Sequence, residues 1–581
     1  MAPPVETMTT SSVFNRPAHA ACGLGLVLCL LGLGGCKDRK NSDTSDTASN
    51  TPADFQLGPT VQCENPVTGM DRFREEGQDR GLTEILPSVE SVYGREIAGL
   101  GGHLVVADLD NDDDVDILAG GLDGLPSVYE NDGTGHFTLR TDSLDIRAQS
   151  TWGMPALAAA DLNGDSLPEI IAATGGYFFV NWNQGDFSFE SSAEHFLGDP
   201  VDPFIYLTLS MGDLDGDGLL DLVLPSASRS SDDPQPGPEL QYGGPDHILL
   251  QNARHEFILV EDLYSAGNGS RSQLAIVTDP DADGDMDVFI PADQGPPSAF
   301  WRNEGVASNS KPQLENKAEI LGMALEMAAM GIDNADLNAD GFLDYCISDV
   351  GPPKCLLSDG NGGFYESGVA LGLVVDEPVT EPEPFAAEFT TIGWSIDFVD
   401  LDNDGILDVV QASGPDPGAH SRGVLNFPDV VWHGLASGQF EDLSAEIGFG
   451  DIANHIGMAT ADFDGDGFMD ITVAGPMESP KLFMNQCGDG AWTRVILHGA
   501  KENTMALGAL VTAYVDGVPL PREVHGLRAQ AQGPAQVHFG LGDTDTLDKL
   551  EVRWPDGQVS VATNVATRRT VTVTHPSAVS E

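Results

Sequence analysis

Seven nine-residue segments of this chain carry oxygen-bearing side chains at positions 1, 3, 5 and 9. The first two are Asp108, Asp110, Asp112, Asp116 and Asp161, Asn163, Asp165, Glu169. Asp213, Asp215, Asp217, Asp221 and Asp279, Asp281, Asp283, Asp287 follow. The last three are Asp336, Asn338, Asp340, Asp344, then Asp400, Asp402, Asp404, Asp408, then Asp462, Asp464, Asp466, Asp470. Short carboxylates on alternate residues converge when the backbone curls, which suits Ca²⁺ with its six to eight oxygens at about 2.3–2.6 Å. Gly at position 6 of the last five loops permits the sharp turn. Up to seven bound Ca²⁺ are therefore expected. Asp113 and Ser166 replace that Gly in the first two loops and Pro168 stiffens the second, so occupancy is expected to be weakest there.

The flanks decide which elements hold these loops. An EF-hand needs a bidentate Glu at position 12 between two helices. Position 12 here is Ala119, Ala172, Leu224, Ile290, Ile347, Gln411 or Val473. Around the loops stand short apolar runs such as LVVAD, DILAG, DLVLP and DITVA, which read as buried strands. Each acidic loop is thus a hairpin tip. A third strand ending in Asn131, Asn183, Asn252, Asn303 or Asn485 follows in five copies, and a Gly-rich turn before Phe137, Phe187, Phe364 or Phe440 in four. Four strands at a period of about 60 residues predict propeller blades, and seven copies predict an all-β, seven-bladed β-propeller. The last 90 or so residues alternate strand-like runs with turns and predict a small C-terminal β-sandwich.

In this context the acidic loops resemble FG-GAP (VCBS-type) repeats, known from integrin α-subunit heads and bacterial surface proteins. The tail resembles the ASPIC/UnbV domain of the cartilage-acidic-protein-like family, and the chain looks like a bacterial lipoprotein member of it. The tail motifs are GALVTAYVDG (Gly508 to Gly517), REVHG (Arg522 to Gly526), VHFGLG (Val537 to Gly542) and VRWPDG (Val552 to Gly557). The resemblance covers roughly residues 70 to 575.

The expected organisation is a lipoprotein-type signal over 1–35, a flexible tether over 36–62, the propeller over 63–488 and the C-terminal domain over 489–581. An apolar run ending Leu33-Gly34-Gly35-Cys36 is short for a membrane span and suits a secretion signal, with Cys36 the lipidated residue. Lys37 after that cysteine points to the outer membrane and cell surface by family-level sorting rules. Against 91 acidic side chains there are only 27 basic ones, a formal charge of −64 that argues against nucleic acid or an anionic membrane surface as partner. Attachment to a membrane is expected through the N-terminal lipid alone. Hydrophobic residues at 41% argue against general disorder. Cys346 and Cys355 flank a short strand turn, and Cys63 and Cys487 bracket the repeats. They are disulfide candidates, with buried free thiols as the alternative.

No phosphate loop, nucleophile elbow or HExxH motif is present, so no catalytic residue is assigned and the chain is not expected to be an enzyme. The expected role is binding or adhesion at the cell surface, toward an extracellular protein or glycan. A carbohydrate-active enzyme on a propeller scaffold and a structural or assembly lipoprotein are the alternatives. Long inserts at 226–246, 374–390 and 412–429 are expected on the disc face away from the cation loops, where they would carry recognition.

Overall fold

The computed structural model describes residues 52–578 with breaks, the longest at 87–101, 141–155, 230–244, 376–390 and 415–426. The expected signal, the lipidation at Cys36 and most of the three inserts lie outside the described residues.

Among the described residues, seven antiparallel arrays of four strands, two of them with a fifth strand added, each contain one acidic loop, and in each the loop joins the first strand to the second. In the first array the strands are His103–Ala107, Asp116–Gly120, Ser127–Asn131 and Phe137–Leu139. The first two strands are buried at every residue, as expected of sheet centres covered on both faces, whereas the last is only three residues long with an exposed middle. The seventh array, Gly457–Ala461, Asp470–Ala474 and Lys481–Asn485, takes its outer strand from Phe73–Glu75 at the other end of the chain. Its register pairs Phe73 with Asn485.

Apolar residues join every array to the next. Val105 and Leu118 pack with Ala159 and Ile170, Ile171 with Leu222, Val223 with Val288, and Phe289 with Tyr345. Cys346 then lies in one cluster with Val409, Val410 with Ile471, and Ala461 with Leu104 of the first array. The cycle closes, and the arrays are the blades of a β-propeller. Cys63 and Cys487 form a disulfide that ties the segment before the outer closing strand to the end of the seventh blade, with Cα atoms 5.7 Å apart. Cys346 and Cys355 face each other on paired strands and form the second disulfide, Cα atoms 4.1 Å apart.

The tail forms two four-stranded sheets. One contains Ala491–His498, Gln536–Gly542 and Arg569–Thr574; the other contains Leu510–Val515, Val518–Glu523, Thr546–Arg553 and Val559–Ala566. The fourth strand of the first sheet corrects the expected tether. Phe55–Leu57 pairs with Val571–Val573, and the Phe55 ring is buried, so chain within the supposed flexible 36–62 belongs to the sandwich. An apolar-polar-apolar triplet at a free sheet edge gains both ladder hydrogen bonds and burial.

The two modules share one core. Val495, Val511 and Trp554 of the tail belong to the same apolar cluster as Leu162, Phe178 and Leu209 of the propeller. Ala531–Gln532 adds parallel to the first strand of the first blade. The Gln532 side chain accepts from the Ala159 N–H and donates to the Ala159 carbonyl, 2.8 and 2.7 Å, on the neighbouring blade.

Candidate metal centres

Each acidic loop is wound by its own backbone before any ion is considered. In all seven, the position-6 N–H donates to the position-1 carboxylate, at 2.7–3.1 Å. Positions 4 and 6 are both left-handed, including Asn111 and Asp113 (φ 63° and 73°), Ser166 (φ 71°) and Ala282 (φ 60°). Asp113 and Ser166 therefore adopt the turn that Gly makes cheaply elsewhere, at a cost in backbone energy.

Position 9 is buried and has a structural task. One oxygen of Asp116, Glu169, Asp221, Asp344, Asp408 or Asp470 accepts the position-2 N–H of its own loop. Loop 4 lacks this bond because Pro280 has no N–H. The other oxygen accepts a third-strand N–H, from Asn131 to Asp116, Asn303 to Asp287 and Asn485 to Asp470, for example.

The ligand atoms converge. Donor oxygens of Asp108, Asp110 and Asp116 lie within 4.8 Å of one another, as do those of Asp213, Asp215 and Asp221. Loops 4 and 6 gather Asp279, Asp281, Asp283 and Asp400, Asp402, Asp404 in the same way. Burial first, and neighbouring carboxylates second, push Asp110 and Asp215 up to about 6. Burial likewise lifts Asp116 and Asp287 to about 8 and Asp344 to about 7, against the pull of backbone donors. Asp110 Oδ1, Asp215 Oδ1 and Asp462 Oδ1 are buried without any hydrogen-bond partner among the described residues. Oxygens so placed suit a hard dication.

The loops are not equivalent. In loop 4, Arg302 pairs with Asp281 and, at 3.4 Å, Asp283, while Arg553 of the tail reaches Asp279 at 3.3 Å. In loop 7, Arg494 lies 3.8 Å from Asp462. In loop 2, Thr504 Oγ1 donates to Asp161 Oδ2 at 2.6 Å and Asn163 Nδ2 to Glu169 Oε1 at 3.1 Å. In loop 5, Asp336 and Asn338 both accept the Asp340 N–H, and Asp340 accepts from Phe342. In loop 3 Asp217, and in loop 6 Asp404, likewise accept the N–H two residues on. In loop 1 Asp112, and in loops 2 and 7 Asp165 and Asp466, do the same. Asp464 of loop 7 accepts the Asp466 N–H.

Two groups of residues escaped the reading of the sequence. His433, in the third strand of the sixth blade, sits with Nδ1 2.8 Å from Asp408 Oδ1. Its only prior signal was its register, one residue before the place that Asn occupies in other blades. The second group is the REVHG motif, known beforehand only as a family mark. Glu523 accepts from Thr278 Oγ1, the Asp279 N–H and Asn334 Nδ2, at 2.6–2.9 Å. His525 Nε2 lies 3.0 Å from Asp333 Oδ1. Both dock the tail onto the innermost strands of the fourth and fifth blades.

All of these tail contacts fall on the face that carries the acidic loops. His538 Nε2 donates to the Gly467 carbonyl, and the Gly542 N–H donates to the Asn403 carbonyl. The C-terminal domain covers the acidic-loop face.

Comparison with known proteins agrees with this architecture. An FG-GAP-like repeat model matches residues 108–172, 161–224 and 336–411, and an FG-GAP repeat model matches 457–491. A model described as ASPIC and UnbV matches 499–580. The chain is an FG-GAP-repeat β-propeller protein with a C-terminal ASPIC/UnbV domain. Among curated proteins it is similar to cartilage acidic protein 1 of Xenopus tropicalis, 25% identical over 503 residues, covering 78% of this chain and 70% of the relative. Among solved structures it is similar to an Agrocybe aegerita lectin that recognises non-reducing terminal N-acetylglucosamine (TM-score 0.38, 18% identity, 60% of this chain and 81% of that one). A Lactobacillus plantarum protein gives a TM-score of 0.38 at 11% identity, over 77% of this chain and 94% of that one.

Proposed function

We propose that this is an exported, Ca²⁺-binding propeller protein that acts in binding or adhesion at the cell surface, toward an extracellular protein or glycan. The observation that carries the Ca²⁺ reading is the set of mutually facing carboxylates in loops 1 and 3, half-buried at positions 1 and 3 and buried at position 9, with Asp110 Oδ1 and Asp215 Oδ1 left without hydrogen-bond partners among the described residues. Uncompensated buried acid is costly, and a dication removes that cost in the folded state only. Two disulfides suit an oxidising compartment, as export implies. Anchoring through a lipid on Cys36 belongs to the same reading. Because the tail covers the cation face, the opposite face remains for a ligand, which is where the inserts at 226–246, 374–390 and 412–429 are expected.

Melting curves in metal-free buffer and in millimolar Ca²⁺ test the central claim. Each extracellular-type site should bind at about 10⁻⁴–10⁻³ M. One site held at a hundredfold excess over its Kd would add about 2.7 kcal/mol. The melting temperature should rise markedly with Ca²⁺, and identical curves would overturn the reading.

A further inference from the structure

Loop 6 differs from the other loops in its donors. Its four carboxylates are joined by an imidazole from the adjacent strand: donor atoms of Asp402, Asp408 and His433 all lie within 4.8 Å of one another. Asp408 is held rigidly, its Oδ2 accepting the Leu401 N–H and its Oδ1 the Gly434 N–H at 2.9 Å. His433 Nδ1 sits 2.8 Å from that same Oδ1. The fourth blade shows what this place in the fold faces. Val409 pairs with Trp432 as Val288 pairs with Trp301, so His433 corresponds to Arg302, whose guanidinium rests on the position-3 carboxylate Asp281. A cationic group occupies this place in one blade and a neutral nitrogen donor can occupy it in the other. Beside the trio lies a cavity of about 240 Å³, lined also by Asp489, Arg72 and Phe73, so an ion there would keep open coordination positions. Arg72 adds one opposing charge, held over the Phe468 ring, against the four carboxylates of the loop.

We propose that the Asp402–Asp408–His433 trio is a mixed nitrogen–oxygen site that takes a borderline transition-metal dication such as Zn²⁺ in preference to Ca²⁺. Ca²⁺ selects oxygen ligands, whereas imidazole with carboxylate suits Zn²⁺ and its neighbours, whose affinity for nitrogen sites exceeds that of hard ions. Binding removes the hydrogen-bonded proton between His433 Nδ1 and Asp408 Oδ1 and puts the metal in its place, the proton leaving to solvent. Three protein ligands with an open position form the pattern of zinc sites that keep a bound water. This inference rests on the proposal that the acidic loops hold cations, but it is tested separately from it.

The purified full-length chain, stripped of metal and then held in excess Ca²⁺, is titrated with Zn²⁺ by calorimetry and with Co²⁺ followed by its visible absorption. One Zn²⁺ equivalent should bind in the presence of Ca²⁺, with Co²⁺ bands of nitrogen–oxygen coordination. His433→Asn should weaken that equivalent by about tenfold or more. His136→Asn, at an exposed histidine, controls for adventitious binding. His433→Asp, an all-oxygen donor set, should remain folded and lose the preference for Zn²⁺. Absence of Zn²⁺ binding against Ca²⁺, or unchanged binding in His433→Asn, overturns the proposal and leaves His433 as the charge partner of Asp408. If Ca²⁺ fails to move the melting temperature while the Zn²⁺ equivalent persists, the Ca²⁺ reading falls and this one stands. A Ca²⁺ shift without the Zn²⁺ equivalent has the converse meaning.

Discussion

Several carboxylates of the acidic loops are placed where they resist ionisation, and this has a sign that can be measured. Burial holds Asp116, Glu169 and Asp287 near 8, Asp344 near 7, and Asp213 and Asp215 near 6, against ordinary values of 3.8 for Asp and 4.5 for Glu. Between those bounds the folded chain holds more protons than the unfolded chain, so its stability falls as pH rises. The raised values of His433 and His455, both near 9 beside carboxylates, act in the same direction: their stabilisation is complete below the ordinary 6.5 and is lost as pH rises through about 9. In metal-free buffer the melting temperature should therefore climb as pH is lowered from 8 to 5. On the proposed reading Ca²⁺ replaces protons at the same oxygens, so excess Ca²⁺ should flatten or reverse the trend. A metal-free protein that melts lower at pH 5 than at pH 8 would contradict the burial of these groups.

Between blades, the decisive part is a side-chain amide at the end of the third strand. Asn131, Asn183, Asn303 and Asn485 each donate to the position-8 carbonyl of their own loop and to the position-2 carbonyl of the preceding blade's loop, with Asn131 reaching Phe463 across the ring closure. In the third blade Gln251, not the anticipated Asn252, makes the bond to Leu162. Asn485→Ala would strand the Leu401 and Met469 carbonyls, both in buried surroundings, and should cost about 1–3 kcal/mol in denaturant unfolding. The fifth and sixth blades have Ser358 and Gly434 at this place. Gly434 cannot take the amide, because a Cβ there would lie 2.2 Å from the Leu407 carbonyl oxygen. Gly434→Asn should therefore destabilise the protein instead of adding a missing clamp. A stabilised Gly434→Asn variant would show that the close approach to Leu407 relaxes freely.

As a whole molecule, the propeller and its tail are predicted to unfold together. Their apolar residues form one cluster, the outer strand of the seventh blade comes from near the amino end, and Cys63–Cys487 fastens that end to the last blade. Calorimetry on the Ca²⁺-loaded chain should show a single transition, and a chain ending at residue 488 should melt well below it because Leu162, Phe178 and Leu209 lose their cover. Two well-separated transitions in the full chain would refute the shared core.

The sequence alone determined the repeat, the hairpin-tip position of each acidic loop and the all-β class, because these depend on local spacing. Alternate oxygens specify a curled loop, and runs buried on both faces specify strands, whatever lies far away. The Asn at the third-strand end was visible too, but not its use, since its partner carbonyl belongs to another blade. Tertiary structure alone decided that Phe55–Leu57 joins the sandwich and that His433 faces loop 6. It also put the tail over the acidic-loop face, where Arg302 and Arg553 meet loop 4 and Arg494 meets loop 7. Those outcomes turn on which residues meet across hundreds of positions in the chain, and no local pattern encodes that meeting.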